Sequence, residues 1–307
     1  MKETVSVVVL TYNGLDHVKK LLPTLAKQTI QADLIVIDSS SSDGTCEYLD
    51  SQNIPYTSIQ KEQFDHGGTR NLGLSLAQNE LVVFLTQDVI LDNNDSVEFL
   101  IKPLQLADVA MSFGRQLPKQ GASVLSEFAR LNNYPEKSFI KSLSSVKELG
   151  IKTPWISNSF AAYKKSILNS IGGFPSNLIM CEDVFVGAKA ILKGYKIAYV
   201  AEAKVFHSHN YSIVEEFTRY FDIGYFYNSE YWILENFSKA EAEGLKFIRN
   251  EIKYLNTKKK WLLLPEFLIR TTVKYVGYNL GKYSKFLPDR LKPIISMHSY
   301  YWKKKDS

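Results

Sequence analysis

Short, almost continuously apolar runs recur through the first 115 residues and are separated by amphipathic stretches. The clearest predicted strands are VSVVVL (5–10), LIVID (34–38), LVVFLT (81–86) and VAMSFG (109–114). Strands that are apolar at every position, rather than at alternate positions, are typical of sheets covered by helices on both faces. The pattern therefore predicts a doubly wound α/β domain with a mostly parallel sheet.

Polar residues follow the first three of these runs at the point where each strand should end. Thr11, Tyr12 and Asn13 follow the first run, Asp38 ends the second, and Asp88 follows the third. Because ligands bind outside the carboxyl ends of the strands in open α/β sheets, these residues are expected to border one crevice. For Asp38 an alternative stays open, since an acid before a serine-rich turn could simply cap the next helix.

Arg70 and the adjacent acids Glu182 and Asp183 are further candidates for chemistry. The Gly-Gly pair of FDHGGTRNLG predicts a helix with Arg70 in its first turn, where a guanidinium suits a phosphate or a nucleotide ring. Pairing of Arg70 with a local acid such as Asp65 is the structural alternative. Either acid at 182–183 could act as a general base, or both could complement the helix dipole.

Asp88 is a candidate ligand for a divalent cation, because Mg²⁺ and Mn²⁺ bind oxygen atoms and share phosphates with protein carboxylates. A lone acid at a strand end is as often a cap. His207 and His209 lie two apart in a predicted strand, and we predict their side chains on opposite faces. At most one of the two histidines is therefore expected to reach a metal.

The C-terminal part of the chain differs in composition from the rest. Residues 241–307 contain fifteen Lys or Arg against six Asp or Glu, in a chain whose net charge is +5. Within 261–280, Glu266, Arg270 and Lys274 are four apart and predict one charged face on an otherwise apolar helix. The apolar surface predicts packing on the protein or a second subunit, or binding at a membrane interface. No nucleic-acid recognition motif accompanies the basic residues.

The two cysteines form no CxxC motif, and a reducing compartment is expected. Neither a signal peptide nor an apolar stretch of 18 residues is recognisable in the sequence. These features predict a cytoplasmic protein, with peripheral contact at the inner face of the cell membrane as an option for the basic region.

Several motifs, in their order along residues 4–212, resemble the bacterial family 2 glycosyltransferases of GT-A fold. They are VSVVVLTYNG, VIDSSSSDGT, GGTRNLG, VVFLTQD, GGF and CEDVFVGAKAILKGYKIAYV. Within that family, FDHGGTRN, FLTQD, HSHNYS and LGKYSKFLPDRLKPIISMHSYYW are most similar to the rhamnosyltransferase branch. The resemblance implies a GT-A, Rossmann-like domain at 1–212 with a mostly parallel sheet and flanking helices. A helical extension at 213–307 would serve membrane binding or oligomerisation.

The resemblance also implies roles for individual residues. The nucleotide of the donor would be held by Thr11, Tyr12, Asn13, Asp38 and Arg70. Mg²⁺ or Mn²⁺ would be bound by Asp88, the remaining acid of a DxD motif that here reads Thr86-Gln87-Asp88, with His209 as a second ligand. The catalytic base would be Asp183, with Glu182 as the second candidate. The donor or acceptor pocket would be lined by Trp155, Asn158 and Ser159.

The implied reaction is an inverting transfer of L-rhamnose from dTDP-β-L-rhamnose to a hydroxyl of a bacterial surface glycan or lipid-linked acceptor. One alternative keeps the mechanism but uses a UDP-hexose donor. Another is a non-catalytic, membrane-docking protein with a decayed transferase fold, which the absent first acid at Thr86 favours. A sugar-1-phosphate nucleotidyltransferase would open with a glycine-rich phosphate loop, whereas LTYNGLDHV contains a single glycine.

Overall fold

The structure, a computed structural model, describes residues 4–238 and 240–305. In this part of the chain nine strands form one sheet, in the order β3-β2-β1-β4-β8-β6-β9-β5, and β7 also pairs with β9. The strands are β1 (Thr4–Thr11), β2 (Gln31–Asp38), β3 (Tyr56–Ser58), β4 (Leu81–Thr86), β5 (Ile90–Leu91), β6 (Val109–Leu117), β7 (Phe139–Lys141), β8 (Phe160–Lys164) and β9 (Lys196–Phe206).

The sheet is mixed rather than mostly parallel. β1 pairs in parallel with β2 and β4, and β2 pairs in parallel with β3. β8 lies antiparallel to both β4 and β6, whereas β6 and β9 are again parallel. The predicted α/β sheet with flanking helices is therefore confirmed, but its strands are parallel only among β1–β4 and between β6 and β9. An apolar run indicates that a strand is buried on both faces, but the run reads the same in either direction.

Helices flank the sheet and continue into a helical C-terminal region. Beside the sheet lie α1 (Leu15–Leu25), α2 (Thr45–Ser51), α3 (His66–Leu76), α4 (Ser96–Ile101), α5 (Val124–Asn133), α6 (Val146–Leu149), α7 (Lys165–Ser170) and α8 (Glu182–Leu192). The C-terminal region contains α9 (Ile213–Ser229), α10 (Tyr231–Phe237), α11 (Ala240–Thr257), α12 (Leu264–Lys282), α13 (Lys292–Ile295) and α14 (Ser299–Lys305). Among the described residues, no helix is long and apolar enough to cross a membrane.

Alternate residues of the central strands enter two separate core clusters, one on each face of the sheet. On β1, Val8 belongs to one cluster, while Val7 and Val9 belong to the other. The cluster containing Val8 also includes Phe221 from α9 and Trp302 from α14. The C-terminal region therefore shares a core with the sheet.

Helices α9 and α12 approach each other closely because glycines face the partner's backbone. A Cβ atom on Gly224 would lie 2.0 Å from the carbonyl oxygen of Tyr278, and one on Gly281 would lie 1.9 Å from that of Phe221. The predicted charged face of α12 is confirmed, since Arg270 pairs with both Glu266 and the α9 residue Glu216. The charged face packs on α9 rather than facing solvent.

Candidate active site

The carboxyl ends of β1, β2 and β4 meet at one edge of the sheet. Thr11 lies opposite Asp38 in the parallel register, and Leu10 lies opposite Thr86. Side chains that follow these three strands therefore share one rim, as the sequence predicts. The chemistry of this rim depends on which other parts of the chain fold over it.

The loops after β1 and β2 bind each other. Asp38 is fully buried, and its carboxylate accepts hydrogen bonds from the hydroxyl of Thr11 (2.9 Å) and from the backbone and side chain of Ser41 (2.8 and 2.6 Å). Asn13, in a left-handed conformation with φ of 43°, accepts from the backbone of Ser42 (2.9 Å). Thr11 and Asp38 are thus buried beneath the rim and hold its two loops together, whereas Asn13 is exposed at its surface.

Tyr12 is also exposed on the rim and is pinned by Gln87. The Gln87 amide accepts from the Tyr12 backbone N–H (3.0 Å) and donates to its carbonyl oxygen (3.1 Å). A Cβ atom on Gly14 would lie 2.2 Å from Gln87 Oε1, so glycine is needed there for close approach. The Lys61 ammonium lies 4.7 Å from the centre of the Tyr12 ring. The middle residue of Thr86-Gln87-Asp88 therefore orders the first loop, a role that the sequence did not reveal.

Asp88, His207 and His209 converge on one point. The Asp88 carboxylate oxygen Oδ2 lies 3.1 Å from His207 Nε2, 3.6 Å from His209 Nε2 and 3.4 Å from Lys119 Nζ. One ligand atom from each of the acid and the two histidines lies within 4.8 Å of the others. The prediction that the histidines face opposite sides is wrong, because residues two apart in an extended strand point to the same face. β9 moreover ends at Phe206, so both histidines lie in the loop that follows the strand.

The tautomer of His207 shows that this cluster suits a cation. Gln116 Oε1 accepts from the Arg130 guanidinium (2.6 Å) and lies 2.8 Å from His207 Nδ1. Since a guanidinium only donates, Oε1 is an acceptor, and Nδ1 of His207 carries the proton. Burial lowers the pKa of His207, so its Nε2 presents a lone pair to the Asp88 carboxylate. Two lone pairs 3.1 Å apart repel unless a proton or a metal cation lies between them, so the pair can bind either one.

The donor set also indicates the kind of cation. Burial, reinforced by His207, lowers the pKa of His209 to about 4, so this imidazole is neutral near pH 7 and available as a ligand. One carboxylate oxygen with two imidazole nitrogens fits Mn²⁺ better than Mg²⁺, which prefers oxygen ligands throughout. The hydrogen bond from His207 to Gln116 orients the ring, as partners behind metal ligands commonly do.

Glu182 and Asp183 begin α8 and lie in different environments. Glu182 is buried, accepts from the Asn158 amide (2.9 Å) and pairs with Arg70 at 3.1 Å. Asp183 accepts from the backbone N–H groups of Asn158 (3.1 Å) and Val184 (2.8 Å). Burial and the charge of Glu182 raise the pKa of Asp183 to about 7. Burial opposes ionisation of Glu182 too, but the charge of Arg70 and the hydrogen bond from Asn158 outweigh it and lower the pKa of that group.

Arg70 lies in the second turn of α3, one turn later than predicted, because the helix already begins at His66. Its Nη1 donates to the carbonyl oxygen of His66 (2.8 Å) and pairs with Glu182. The alternative pairing with Asp65 does not form, since Asp65 caps the helix by accepting from the backbone of Gly68 (2.6 Å). Arg70 is buried, and its contacts set the charge of the acid pair.

The three predicted pocket residues lie along one segment that leads into β8. Asn158 is buried and touches both acids through its side chain and backbone. Trp155 is half-buried and packs edge-on against Phe113, with ring centres 5.3 Å apart. The carbonyl oxygen of Ser159 accepts from the backbone of Thr86 (3.4 Å). Asn158 thus positions the acid pair, and Trp155 and Ser159 border it.

Arg219 of α9 is a site residue that sequence reasoning missed. Its guanidinium lies 5.7 Å from the ring centre of Tyr211, and Tyr211 stacks on His209 at 5.1 Å. Burial alone would lower the pKa of Arg219, but nearby acidic groups, including Asp183, raise it. Arg219 therefore places a positive charge beside Tyr211, the ring that stacks on the candidate metal ligand His209. Its position in a helical, aromatic segment carried no recognisable signal.

Comparison with known proteins is consistent with this geometry. The family described as Glycosyl transferase family 2 matches residues 6–172. The chain is 42% identical to the O-antigen chain rhamnosyltransferase RfbN of Salmonella typhimurium, over 97% of this chain and 96% of that protein. It is also 42% identical to the O-antigen chain rhamnosyltransferase WbaN of Salmonella anatum, over 97% of this chain and 95% of the relative.

The fold is also shared with a solved enzyme. The mannosyltransferase PcManGT from Pyrobaculum calidifontis, solved in complex with GDP-Man and Mn²⁺, superposes with a TM-score of 0.64 at 18% identity. The match covers 93% of this chain and 87% of that structure. The mixed, Rossmann-like sheet with its flanking helices is accordingly the GT-A fold, and the chain belongs to the family 2 glycosyltransferases.

Proposed function

We propose that this glycosyltransferase moves L-rhamnose from dTDP-β-L-rhamnose to a hydroxyl of a surface glycan or lipid-linked acceptor, with inversion at the anomeric carbon. One observation carries the proposal: Gln116 connects the metal cluster to the acid pair, since it contacts His207 (2.8 Å) and donates to Ser157 (2.9 Å), the neighbour of Asn158. Asn158 in turn donates to Asp183, whose pKa is raised to about 7. The choice of rhamnose is supported by the names of the two Salmonella relatives, which align over nearly the whole chain.

The nucleotide would lie on the rim formed after β1 and β2. Tyr12 and Asn13 are exposed there and would contact it directly. Thr11, Asp38 and Arg70 are buried and bonded to other protein groups, so we expect them to hold the rim in shape. This division sharpens the role expected of all five residues from the family resemblance.

Asp88, His207 and His209 would hold a divalent metal, for which Mn²⁺ fits the ligands best. When bound, such a metal stabilises negative charge on the departing diphosphate. Arg219 would add a positive charge beside Tyr211, which stacks on His209. Lys119 now neutralises Asp88 at 3.4 Å, and we expect it to turn toward a phosphate oxygen when the cation is present.

Asp183 would act as the general base. As the acceptor oxygen forms its bond to the anomeric carbon, the bond from that carbon to the diphosphate oxygen breaks, and the hydroxyl proton passes to the Asp183 carboxylate. Its pKa near 7 matches the requirement that a base be ionised yet able to hold a proton. Glu182 is unsuited to this role, because Arg70 and Asn158 already engage its carboxylate.

Calorimetric titration with dTDP-L-rhamnose, UDP-glucose and GDP-mannose, each with and without Mn²⁺, tests the proposal. We expect Mn²⁺-dependent binding of dTDP-L-rhamnose at least about 10-fold tighter than that of the other donors, equivalent to 1.4 kcal/mol. Tighter binding of a UDP-hexose would retain the mechanism and replace the sugar. Folded protein that binds none of the donors would favour the non-catalytic alternative.

We further propose that α12 docks on an anionic membrane surface. Its outward side exposes large apolar residues, among them Leu268, Tyr275 and Val276, and Leu262 just before it is 95% exposed. Lysines precede this stripe at 258–260 and recur at its far end. In a symmetric dimer through the same face these lysines would meet their own copies, whereas an anionic surface neutralises them.

Co-sedimentation with vesicles tests whether this apolar stripe binds a membrane surface or a second copy of the chain. The wild-type protein should bind vesicles that contain phosphatidylglycerol and not pure phosphatidylcholine. Leu262→Ser combined with Leu268→Ser should abolish this binding without changing the elution volume in gel filtration. A change of oligomeric state in the variant, with no vesicle binding by wild type, would assign the stripe to a subunit contact.

A further inference from the structure

Four aromatic rings form a cluster beside the acid pair. Phe64 and His66 lie at the start of α3, while His298 and Tyr300 come from the C-terminal region. His66 stacks on His298 with ring centres 5.0 Å apart, and His298 stacks on Tyr300 at 5.8 Å. Phe64 meets the edges of His66 and Tyr300 at 5.1 and 6.3 Å. These four residues are called the aromatic platform below.

The platform adjoins the catalytic acids. The carbonyl oxygen of His66 accepts from Arg70 Nη1, and the same nitrogen lies 3.1 Å from Glu182. Burial lowers the pKa of His66 and lowers that of His298 to about 3, while the charge of Glu182 opposes both shifts. The two imidazoles are therefore neutral near pH 7. All four residues remain partly exposed, so they are not part of the fully buried core.

Asp222 fixes the C-terminal half of the platform. This α9 residue is fully buried, and its carboxylate accepts from the backbone N–H of His298 at 3.1 Å. Burial raises the pKa of Asp222 to about 7. Because withdrawing a carboxyl group from water costs free energy unless it is hydrogen-bonded, this contact specifies where the segment lies. The hydrogen bond to Asp222 thus holds His298 in the position where it stacks on His66.

Neutral, partly exposed aromatic rings beside catalytic acids suit a sugar ring. A pyranose presents one face of C–H groups with partial positive charge, which the electron-rich face of an aromatic ring attracts. We propose that the aromatic platform is a carbohydrate subsite that binds the apolar face of a pyranose, either the sugar of the donor or the terminal sugar of the acceptor. The inference rests on the proposed function, which requires both sugars to lie next to Asp183.

The five histidines of the chain allow a direct test by NMR. With ¹³C-labelled histidine, His17, His66, His207, His209 and His298 each contribute one set of ring signals. The protein with Mg²⁺ and dTDP is titrated with methyl glycosides of galactose, glucose, mannose, rhamnose and N-acetylglucosamine. Shifts of His66 and His298, without a shift of the exposed His17, identify an acceptor sugar. Shifts of the same two signals when dTDP-L-rhamnose replaces dTDP identify the donor sugar.

Variants sharpen the test. Tyr300→Leu should weaken the binding of the responding sugar at least about 10-fold and raise the KM of the substrate that carries it more than it lowers kcat. Tyr231→Leu, an exposed tyrosine of α10, is the matched control and should leave both unchanged. If Tyr300→Leu does not fold, the titration of the wild-type protein still decides the matter.

The outcomes separate the subsite from the proposed function. If no glycoside and no donor sugar shifts His66 and His298, or if folded Tyr300→Leu binds like wild type, the platform is not a sugar subsite. If dTDP-L-rhamnose shifts only His207 and His209, and no methyl glycoside shifts His66 and His298, the donor assignment stands and the subsite falls. If glycosides shift the platform signals but no nucleotide binds, the subsite stands and the proposed donor falls.

Discussion

Two carboxylates of the site, Asp88 and Asp183, are surrounded in opposite ways. Asp88 faces the lone pairs of two neutral imidazoles, one of them oriented by Gln116. Asp183 instead accepts hydrogen bonds from two backbone N–H groups. Burial and the charge of the neighbouring Glu182 raise its pKa to about 7. The first environment favours a cation, and the second favours a proton. The same residue type thus serves two chemistries, and the neighbours decide which.

The largest expected effect tests the proton side of this comparison. Asp183→Asn should slow transfer by about 10²–10⁴-fold, because it removes the general base while retaining the size of the side chain. Binding of the donor should stay close to that of wild type. Initial rates and donor titrations measure the two quantities. The control is Asp65→Asn, an acid that caps α3 and lies outside the acid pair. Loss of donor binding by folded Asp183→Asn would contradict the assignment.

The cation side is tested by removing a ligand. Asp88→Asn and His207→Gln should each weaken Mn²⁺ binding by more than about 100-fold, above the range usual for residues that only orient a ligand. Electron paramagnetic resonance of free Mn²⁺ measures the affinity, and His17→Gln is the control because His17 is exposed on α1. Unchanged Mn²⁺ binding in both variants would remove the cluster from the metal role.

A smaller loss of Mn²⁺ affinity is expected when the residue that orients His207 is replaced. Gln116→Leu removes the acceptor that keeps the proton on Nδ1 of His207, and Mn²⁺ affinity should fall by about 10–100-fold. Gln87→Leu is a matched comparison, because Gln87 pins Tyr12 and should weaken nucleotide binding instead. Equal losses of Mn²⁺ affinity in the two variants would argue against the tautomer assigned to His207.

The smallest effect concerns pH. Because Asp183 must be ionised to accept a proton, the transfer rate should rise as the pH increases through about 7. Stability should move the other way: the unfolded chain releases this proton near its ordinary pKa of 3.8, before the folded protein does, so ionisation of Asp183 destabilises the fold as pH rises from about 4 to 7. Asp183→Asn should therefore raise Tm relative to wild type more at pH 8 than at pH 4.5. An equal change in Tm at both pH values would refute the raised pKa.

Sequence reasoning located most of the rim, because strand ends and glycine turns leave local patterns. Thr11, Asp38 and Asp88 lie where the apolar runs predicted, and Glu182 and Asp183 begin a helix as expected. It failed for His207 and His209, because residues two apart in a strand share a face, and because the strand itself ends at Phe206, a boundary set by pairing with neighbouring strands. It also missed Arg219, His298 and Tyr300, which reach the site only because α9 and the C-terminal segment fold back over it.

By itself, the sequence determined that the chain forms a buried sheet with polar strand ends, and its ordered motifs indicated the family. Hydrophobic periodicity and turn residues act over a few neighbours, so these properties can be read locally. Only the tertiary structure decided the direction of β8 and the convergence of Asp88 with two histidines. It also decided that Glu182 forms a salt bridge while the pKa of Asp183 is raised. Those outcomes depend on distances between residues far apart in the chain, and burial and charge act through such distances.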